Sequence, residues 1–114
     1  GLEGRTYAFA DMVTAGALLQ LGSDAPVAPL DPWLAMSAAV GRRTPDGSVW
    51  SPDQRLTAEE ALAASVNGAG SVAVGTSADL VLLAEDPLRL GAEELTGVRP
   101  VATVVAGAVA HLRG

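Results

Sequence analysis

Several residue types are missing from this chain of 114 residues, which has no cysteine, no lysine and no isoleucine, and contains one histidine, His111. The absence of cysteine excludes disulfide bonds, thiolate metal sites and a cysteine nucleophile. A catalytic triad would have to recruit His111, and no G-x-S-x-G motif marks a nucleophilic serine. No second histidine is available to complete a ligand set. We interpret His111 as a surface residue of a strand.

Basic runs and long apolar runs are also absent. The 13 acidic and 7 basic residues give a net charge of -6, and the arginines are scattered along the chain. A nucleic-acid-binding protein normally shows a basic face, so we expect no nucleic-acid partner. No stretch approaches the roughly 20 apolar residues that cross a bilayer. No signal peptide is recognisable, and we expect a cytoplasmic protein without membrane association.

The residues that are present suit a small folded domain. Hydrophobic residues make up 49 % and charged residues 18 % of the chain, while aromatic residues make up only 4 %. That composition favours a globular fold over disorder. The chain begins with Gly1 instead of methionine, which is consistent with a piece of a longer protein.

Hydrophobic spacing and capping signals predict an α/β order of elements. Asp31 before Pro32 is a helix start, and Thr57 with Glu60 forms a capping box. The predicted elements are a helix over 5–15, a buried strand over 17–22, a helix from Pro32 to about Gly41, a polar loop over 41–55, a helix over 58–67, a strand over 78–85 buried on both faces, a turn at "DPLRL", and a hairpin over 101–112 about Ala106 and Gly107.

Asp24 is the residue whose position points most directly to chemistry. It lies in "LQLGSDAPVAPLDP", residues 18–31, just after the predicted buried strand. In parallel α/β folds, functional groups cluster at the carboxyl ends of strands. A catalytic role and a plain turn role for Asp24 are both open on position alone.

Other polar residues have structural explanations. Glu59 and Glu60 complement the positive end of a helix. Arg42 and Arg43 follow the helix that begins at Pro32, and a guanidinium there could bind an anionic group bidentately. Surface solubility is the commoner explanation for this pair. The glycines of "NGAGSVAVG" follow a helix without a Walker motif, which indicates a helix-exit loop.

Four ordered segments resemble the metal-dependent amidohydrolases. "LLQLGSDAPV…P…AMSAAVGRR" is similar to their eighth barrel strand and following helix, and "LTAEEALAASVNGAG" to the next helix. "VAVGTSADLVLLAEDPL" and "VRPVATVVAGAVAH" resemble their closing segments. The closest resemblance is to the amidohydrolase family 3 branch, which includes N-substituted formamide deformylases and D-aminoacylases.

This resemblance implies the carboxyl-terminal part of a (β/α)8 barrel enzyme. Residues 1–70 would supply the last barrel strand and its helices, and residues 71–114 would supply strands of a small composite β-sandwich. Asp24 would be a metal ligand and proton shuttle in hydrolysis of a C–N bond in a small amide-type substrate, and Arg42 a weaker candidate for substrate binding. The metal, a divalent ion such as zinc, would belong to the full-length parent.

The chain departs from that family in its ligands. The family's paired and later histidines have no counterpart, and one carboxylate does not hold zinc, which takes three or four protein ligands. We therefore expect the isolated chain to bind no metal tightly, to be inactive, and to pack against the remainder of the barrel or against copies of itself. The alternatives are a non-catalytic scaffold or self-assembling module derived from that fold, and an unrelated small α/β domain.

Overall fold

The computed structural model describes residues 7–26, 30–44, 46–66 and 72–113. Within these ranges helices dominate the first half and strands the last third, which confirms the predicted α/β character. The helices are α1 (Phe9–Thr14), α2 (Pro32–Gly41), α3 (Ala58–Ser65) and α4 (Ala92–Leu95), with short 3-10 turns at Pro52–Gln54 and Pro87–Arg89. The strands are β1 (Leu80–Leu82), β2 (Ala102–Val105) and β3 (Ala108–Leu112).

The two helices with local capping signals form where the sequence predicts them. The Asp31 side chain accepts a 2.9 Å hydrogen bond from the Trp33 amide at the start of α2. In α3, Thr57 Oγ1 accepts from the Glu60 amide and Glu60 Oε1 accepts from the Thr57 amide, at 3.1 and 2.9 Å. Each pair satisfies helix amides that have no partner within the helix. The Asn67 helix end predicted from the sequence lies outside the described residues.

A small core joins the helices. α2 packs against both α3 and α4. The fully enclosed cluster consists of Met36, Ala39, Leu56, Ala61 and Leu95. Two of its five members are alanines, so most of the remaining apolar burial comes from half-buried neighbours such as Phe9, Leu19 and Leu21.

The three strands form an antiparallel sheet in the order β1-β2-β3. Ala106 and Gly107 connect β2 to β3 with φ values of 49° and 81°, as a tight hairpin turn of the primed types requires. The predicted hairpin is confirmed. Leu82, Ala102 and Leu112 lie side by side across the sheet, and so do Leu80, Val104 and Val109.

Two strand predictions are wrong. Residues 17–22 have no regular secondary structure and form no strand, because no described strand lies beside them. Leu18 is 97 % exposed, whereas Leu19 and Leu21 pack on the core, so this segment is buried on one side only. The strand predicted over 78–85 is limited to Leu80–Leu82, and its members are half-buried or exposed.

The described ranges also contain one element that the sequence did not predict, α4. It is four residues long, and Leu95 anchors it in the core with no exposed surface. The division of the chain at residues 70 and 71 and the assignment of barrel and sandwich remain predictions. No helix in the described ranges is long and apolar enough to cross a membrane.

Candidate functional site

Asp24 lies in an exposed turn, residues 24–26, which follows residues 17–23 and precedes α2 in the chain. Its backbone is left-handed, with φ of 50°, a conformation that aspartate adopts more readily than most residues. The carboxylate is therefore open to a molecule approaching from solvent. Asp24 lies in a turn after the apolar run, as the sequence predicts, although that run is not a strand.

Residues 17–23, the segment directly before Asp24, are hydrogen-bonded to α1 and α3. The Ala17 amide donates to Met12 O at the end of α1, and the Leu21 amide donates to Ala64 O of α3, each at 2.9 Å. Leu19 and Leu21 pack on the core. These contacts hold the segment up to three residues before Asp24.

Arg42, the second predicted site residue, is 7 % exposed. Its Nε donates to Trp50 O at 2.9 Å and its Nη1 donates to Tyr7 O at 2.8 Å. The guanidinium carbon lies 5.5 Å from the ring centroids of both Phe9 and Trp50, within the range of cation–π attraction. The surface-solubility explanation is thus wrong for Arg42, which is buried, whereas Arg43 is exposed and the explanation stays a prediction for it. The substrate-binding role of Arg42 stays a prediction.

The described residues do not assemble a metal site. They contain no group of three acidic or histidine side chains close enough to hold one ion. His111, the single histidine, is exposed on β3, as the sequence predicts. Because zinc takes three or four protein ligands, Asp24 does not fit such an ion without further ligands, and no metal-dependent step is derived for this part of the chain.

The loop after α2 contains a polar cluster that the sequence analysis missed. Arg43 pairs with Val49 in an antiparallel bridge that brings the two ends of this loop together. Asp46 Oδ1 accepts from the Thr44 hydroxyl, from the Ser48 amide at 2.9 Å and from the Ser48 hydroxyl at 2.7 Å. The Thr44 hydroxyl bond and then the Ser48 bonds lower the pKa of Asp46 to about 2. The spacing T-x-D-x-S was the available signal.

Two open clefts lie elsewhere in the described part. The first, about 380 Å³, separates the end of α2 from the start of α4 and carries Arg43, Arg55, Glu93 and Glu94. The second, about 400 Å³, lies beside β1 and carries Glu85, Arg99 and Arg113. Neither cleft is lined by Asp24 or Arg42, so the structure does not bring the two predicted site residues into one pocket.

Comparisons with known proteins relate this chain to amidohydrolases. A sequence model described as the amidohydrolase family matches residues 3–111. The chain is 34 % identical over 112 residues to an N-substituted formamide deformylase of Arthrobacter pascens, covering 90 % of this chain and 21 % of that protein. It is 27 % identical over 118 residues to a Bacillus subtilis protein designated amidohydrolase YtcJ, covering 92 % of this chain and 22 % of the relative.

A plant relative extends the comparison. The Arabidopsis thaliana protein LONG AFTER FAR-RED 3 is 35 % identical over 89 residues, covering 68 % of this chain and 15 % of that protein. No solved structure gives a significant match. The chain therefore spans about a fifth of the length of the first two curated relatives.

Proposed function

The chain belongs to the amidohydrolase family, and from this premise we propose that it is the carboxyl-terminal part of a hydrolase that cleaves amide-type C–N bonds. Its similarity to an N-substituted formamide deformylase supports a substrate of this class. The observation that carries the proposal is the position of Asp24, an exposed carboxylate in a turn directly after a segment held on the core. Asp24 is the residue that we assign to catalysis.

The proposed role of Asp24 is proton transfer. Its carboxylate accepts a proton from the water that attacks the amide carbon, so that the water oxygen forms the new C–O bond. The protonated Asp24 then delivers that proton to the amine nitrogen as the C–N bond breaks. A carboxylate performs both steps because its two protonation states alternate within one turnover.

Asp24 as a metal ligand is part of the same proposal. The other ligands of a zinc or similar divalent ion would come from residues outside this chain, since the described residues assemble no ligand set. We accordingly propose that the 114-residue chain alone binds no metal tightly and catalyses no hydrolysis. Any hydrolysis of formanilide or N-benzylformamide by the pure chain above the buffer rate would contradict this.

The same premise carries the proposed architecture. Residues 1–70 would contribute the last strand and helices of a (β/α)8 barrel, and residues 71–114 the closing strands of a composite β-sandwich. The partner of the chain would be the remainder of that barrel or, in isolation, a second copy. We propose a cytoplasmic location for the assembled enzyme. The exposure of Leu82, Val109 and Leu112 on the sheet supports the need for a covering partner.

The test is the substitution Asp24→Asn in the longer enzyme encoded by the reading frame that contains this chain. Loss of the proton acceptor should lower kcat by about 100-fold or more. Bound metal, measured by atomic emission, should fall in parallel. Asp53→Asn is the matched control because Asp53 is another exposed aspartate, on the 3-10 turn Pro52–Gln54.

A second function is a non-catalytic scaffold or self-assembling module. The exposed apolar residues on the sheet favour it, because such surfaces are typical of interaction sites. If Asp24→Asn leaves both activity and metal content of the longer protein unchanged, the scaffold hypothesis replaces the catalytic one. Asp24 is then an ordinary turn residue.

A further inference from the structure

Helix α1 lacks the usual means of holding its place. It is six residues long, contains no buried residue, and its N-cap, Ala8, makes no side-chain hydrogen bond. Isolated helices of this length are unstable in water. The position of α1 must therefore depend on contacts supplied by distant parts of the chain.

Two polar side chains supply such contacts, in addition to the packing of Phe9 and Val13 of α1 against the core. Gln54 Oε1 accepts a 3.0 Å hydrogen bond from the Asp11 amide in the first turn of α1, and Gln54 is only 5 % exposed. Arg42 Nη1 donates to Tyr7 O, two residues before the helix, and the guanidinium lies against the Phe9 ring. Gln54 lies 43 residues from Asp11 in the chain, and Arg42 lies 35 residues from Tyr7. Both contacts therefore hold the start of α1 from distant parts of the sequence.

The Arg42 contacts depend on the shape of a guanidinium. Nε and Nη1 donate to two carbonyls from different segments, Trp50 O and Tyr7 O, while the planar group lies near two aromatic rings. A lysine ammonium, a point charge at the end of a flexible stem, does not reproduce this fork. Tyr7, Phe9 and Trp50 are three of the four aromatic residues of the chain, and all three gather here.

The residues that Arg42 joins bracket Asp24 in the chain. The segment before Asp24 follows α1 in the chain. Its Ala17 amide donates to Met12 O of α1, and its Leu21 amide donates to Ala64 O of α3. α2, whose C-cap is Arg42, starts eight residues after Asp24. Arg42 thus ties the outer end of the helix before Asp24 to the outer end of the helix after it.

We infer that Arg42 is a positioning residue, which fixes α1 and thereby the path of the segment that presents Asp24. Its relevance to catalysis rests on the proposed function of Asp24. The inference offers a different role from direct contact with a substrate anion. A substrate contact would bring an anion to the guanidinium, whereas a positioning residue acts through its bonds to Tyr7 O and Trp50 O.

The first test is hydrogen exchange measured by NMR on the 114-residue chain. The Arg42 Nε–H should exchange at least about tenfold more slowly than that of its exposed neighbour Arg43, because it is buried and bonded to Trp50 O. Equal exchange rates for the two arginines would overturn the inference. This measurement needs no variant and so does not depend on whether a substituted chain folds.

The second test compares Arg42→Lys and Arg42→Ala with the control Arg43→Lys. In both Arg42 variants the Asp11 and Leu21 amides should exchange about tenfold faster or more, while the Thr103 amide in β2 is unchanged. Unchanged exchange at Asp11 and Leu21 in Arg42→Lys would contradict a positioning role. Should Arg42→Ala unfold the whole chain, Arg42→Lys still decides.

The third test separates positioning from substrate contact. Sodium acetate and inorganic phosphate should cause no saturable shift of the Arg42 Nε–H signal, and such a shift would overturn the inference. In the longer enzyme, Arg42→Lys should lower kcat with KM nearly unchanged, whereas a lost substrate contact raises KM.

The inference and the proposed function can fail separately. Asp24→Asn should leave the exchange rates of Arg42 Nε–H and the Leu21 amide unchanged. If that variant keeps full activity, the catalytic assignment of Asp24 fails while the exchange data still decide whether Arg42 positions the segment. If Arg42 fails its exchange tests, the activity of Asp24→Asn still decides the proposed function.

Discussion

At the scale of single residues, the hydrogen bonds of Asp46 predict how the stability of the folded chain depends on pH. Its pKa is lowered to about 2, chiefly by the Thr44 hydroxyl, so the folded chain favours the ionised carboxylate. The stabilisation is therefore fully present above 3.8, the ordinary pKa of an aspartate, and is lost as the pH falls through about 2. Thr44→Val should move the pKa of Asp46 towards 3.8, whereas Thr44→Ser, which keeps the hydroxyl, should leave it near 2.

Carboxyl carbon shifts in an NMR titration give the pKa of Asp46 in each variant. Equal values in wild type and Thr44→Val would show that the Thr44 hydroxyl is not the cause. The residue scale also marks a limit of sequence reasoning. The turn at Asp24 could be predicted because a turn after an apolar run is a local signal, whereas the burial of Arg42 depends on Tyr7 and Trp50, which lie 35 and 8 residues away.

At the scale of elements, the contact between α2 and α4 predicts the effect of a single methyl group. A Cβ on Gly41 would lie 2.9 Å from Ala92 Cβ, closer than van der Waals contact allows. Gly41→Ala should therefore lower the free energy of unfolding by about 1–2 kcal/mol, since the strain exceeds the gain in helix propensity. Ser37 Oγ donates to Ala92 O at 2.6 Å across the same contact, which limits relaxation.

Urea unfolding of a double-mutant cycle measures this effect. Ala92→Gly removes the opposing methyl group, so Gly41→Ala should cost clearly less in the Ala92→Gly background than in wild type. Equal costs in both backgrounds would place the strain elsewhere. A Gly41→Ala variant as stable as wild type would contradict the close approach of the two helices.

The accuracy of the sequence analysis at this scale follows the range of the signals. α2, α3 and the β2–β3 hairpin were predicted because their caps and turn lie within a few residues of one another. The apolar run 17–22 looks like a strand, but strand formation needs a neighbour that the described residues do not provide beside it. α4 was missed because tertiary burial of Leu95 holds a helix too short to carry a periodic pattern.

At the scale of the whole molecule, the elongated shape reflects the small number of contacts between the helices and the sheet. The radius of gyration is 15.2 Å, with extents of 50 × 31 × 28 Å. A compact chain of this length would have a radius of gyration of about 13 Å. The main contacts of the strands are with one another, whereas the enclosed core lies among the helices and the loop before α3. This elongation agrees with a chain whose sheet requires a partner.

One face of the sheet predicts how the chain behaves in isolation. The register places Leu82, Val109 and Leu112 on the same face, and they are 60, 65 and 69 % exposed. Because β3 is also an edge of the sheet within the described residues and contains no Asp, Glu, Lys or Arg, this apolar face favours self-association. The purified chain should sediment as a dimer or larger species at micromolar concentration.

Charge on that face should reverse the association. Leu112→Lys combined with Val109→Lys places two ammonium groups where a second copy would pack, so sedimentation equilibrium should show a monomer. His111→Lys is the matched control, because His111 pairs with Thr103 on the opposite face of the sheet, and Thr103 in turn pairs with Val81. That control should still associate if the apolar face is the contact. A wild-type chain that is a monodisperse, cooperatively melting monomer would contradict a sheet that needs a covering partner.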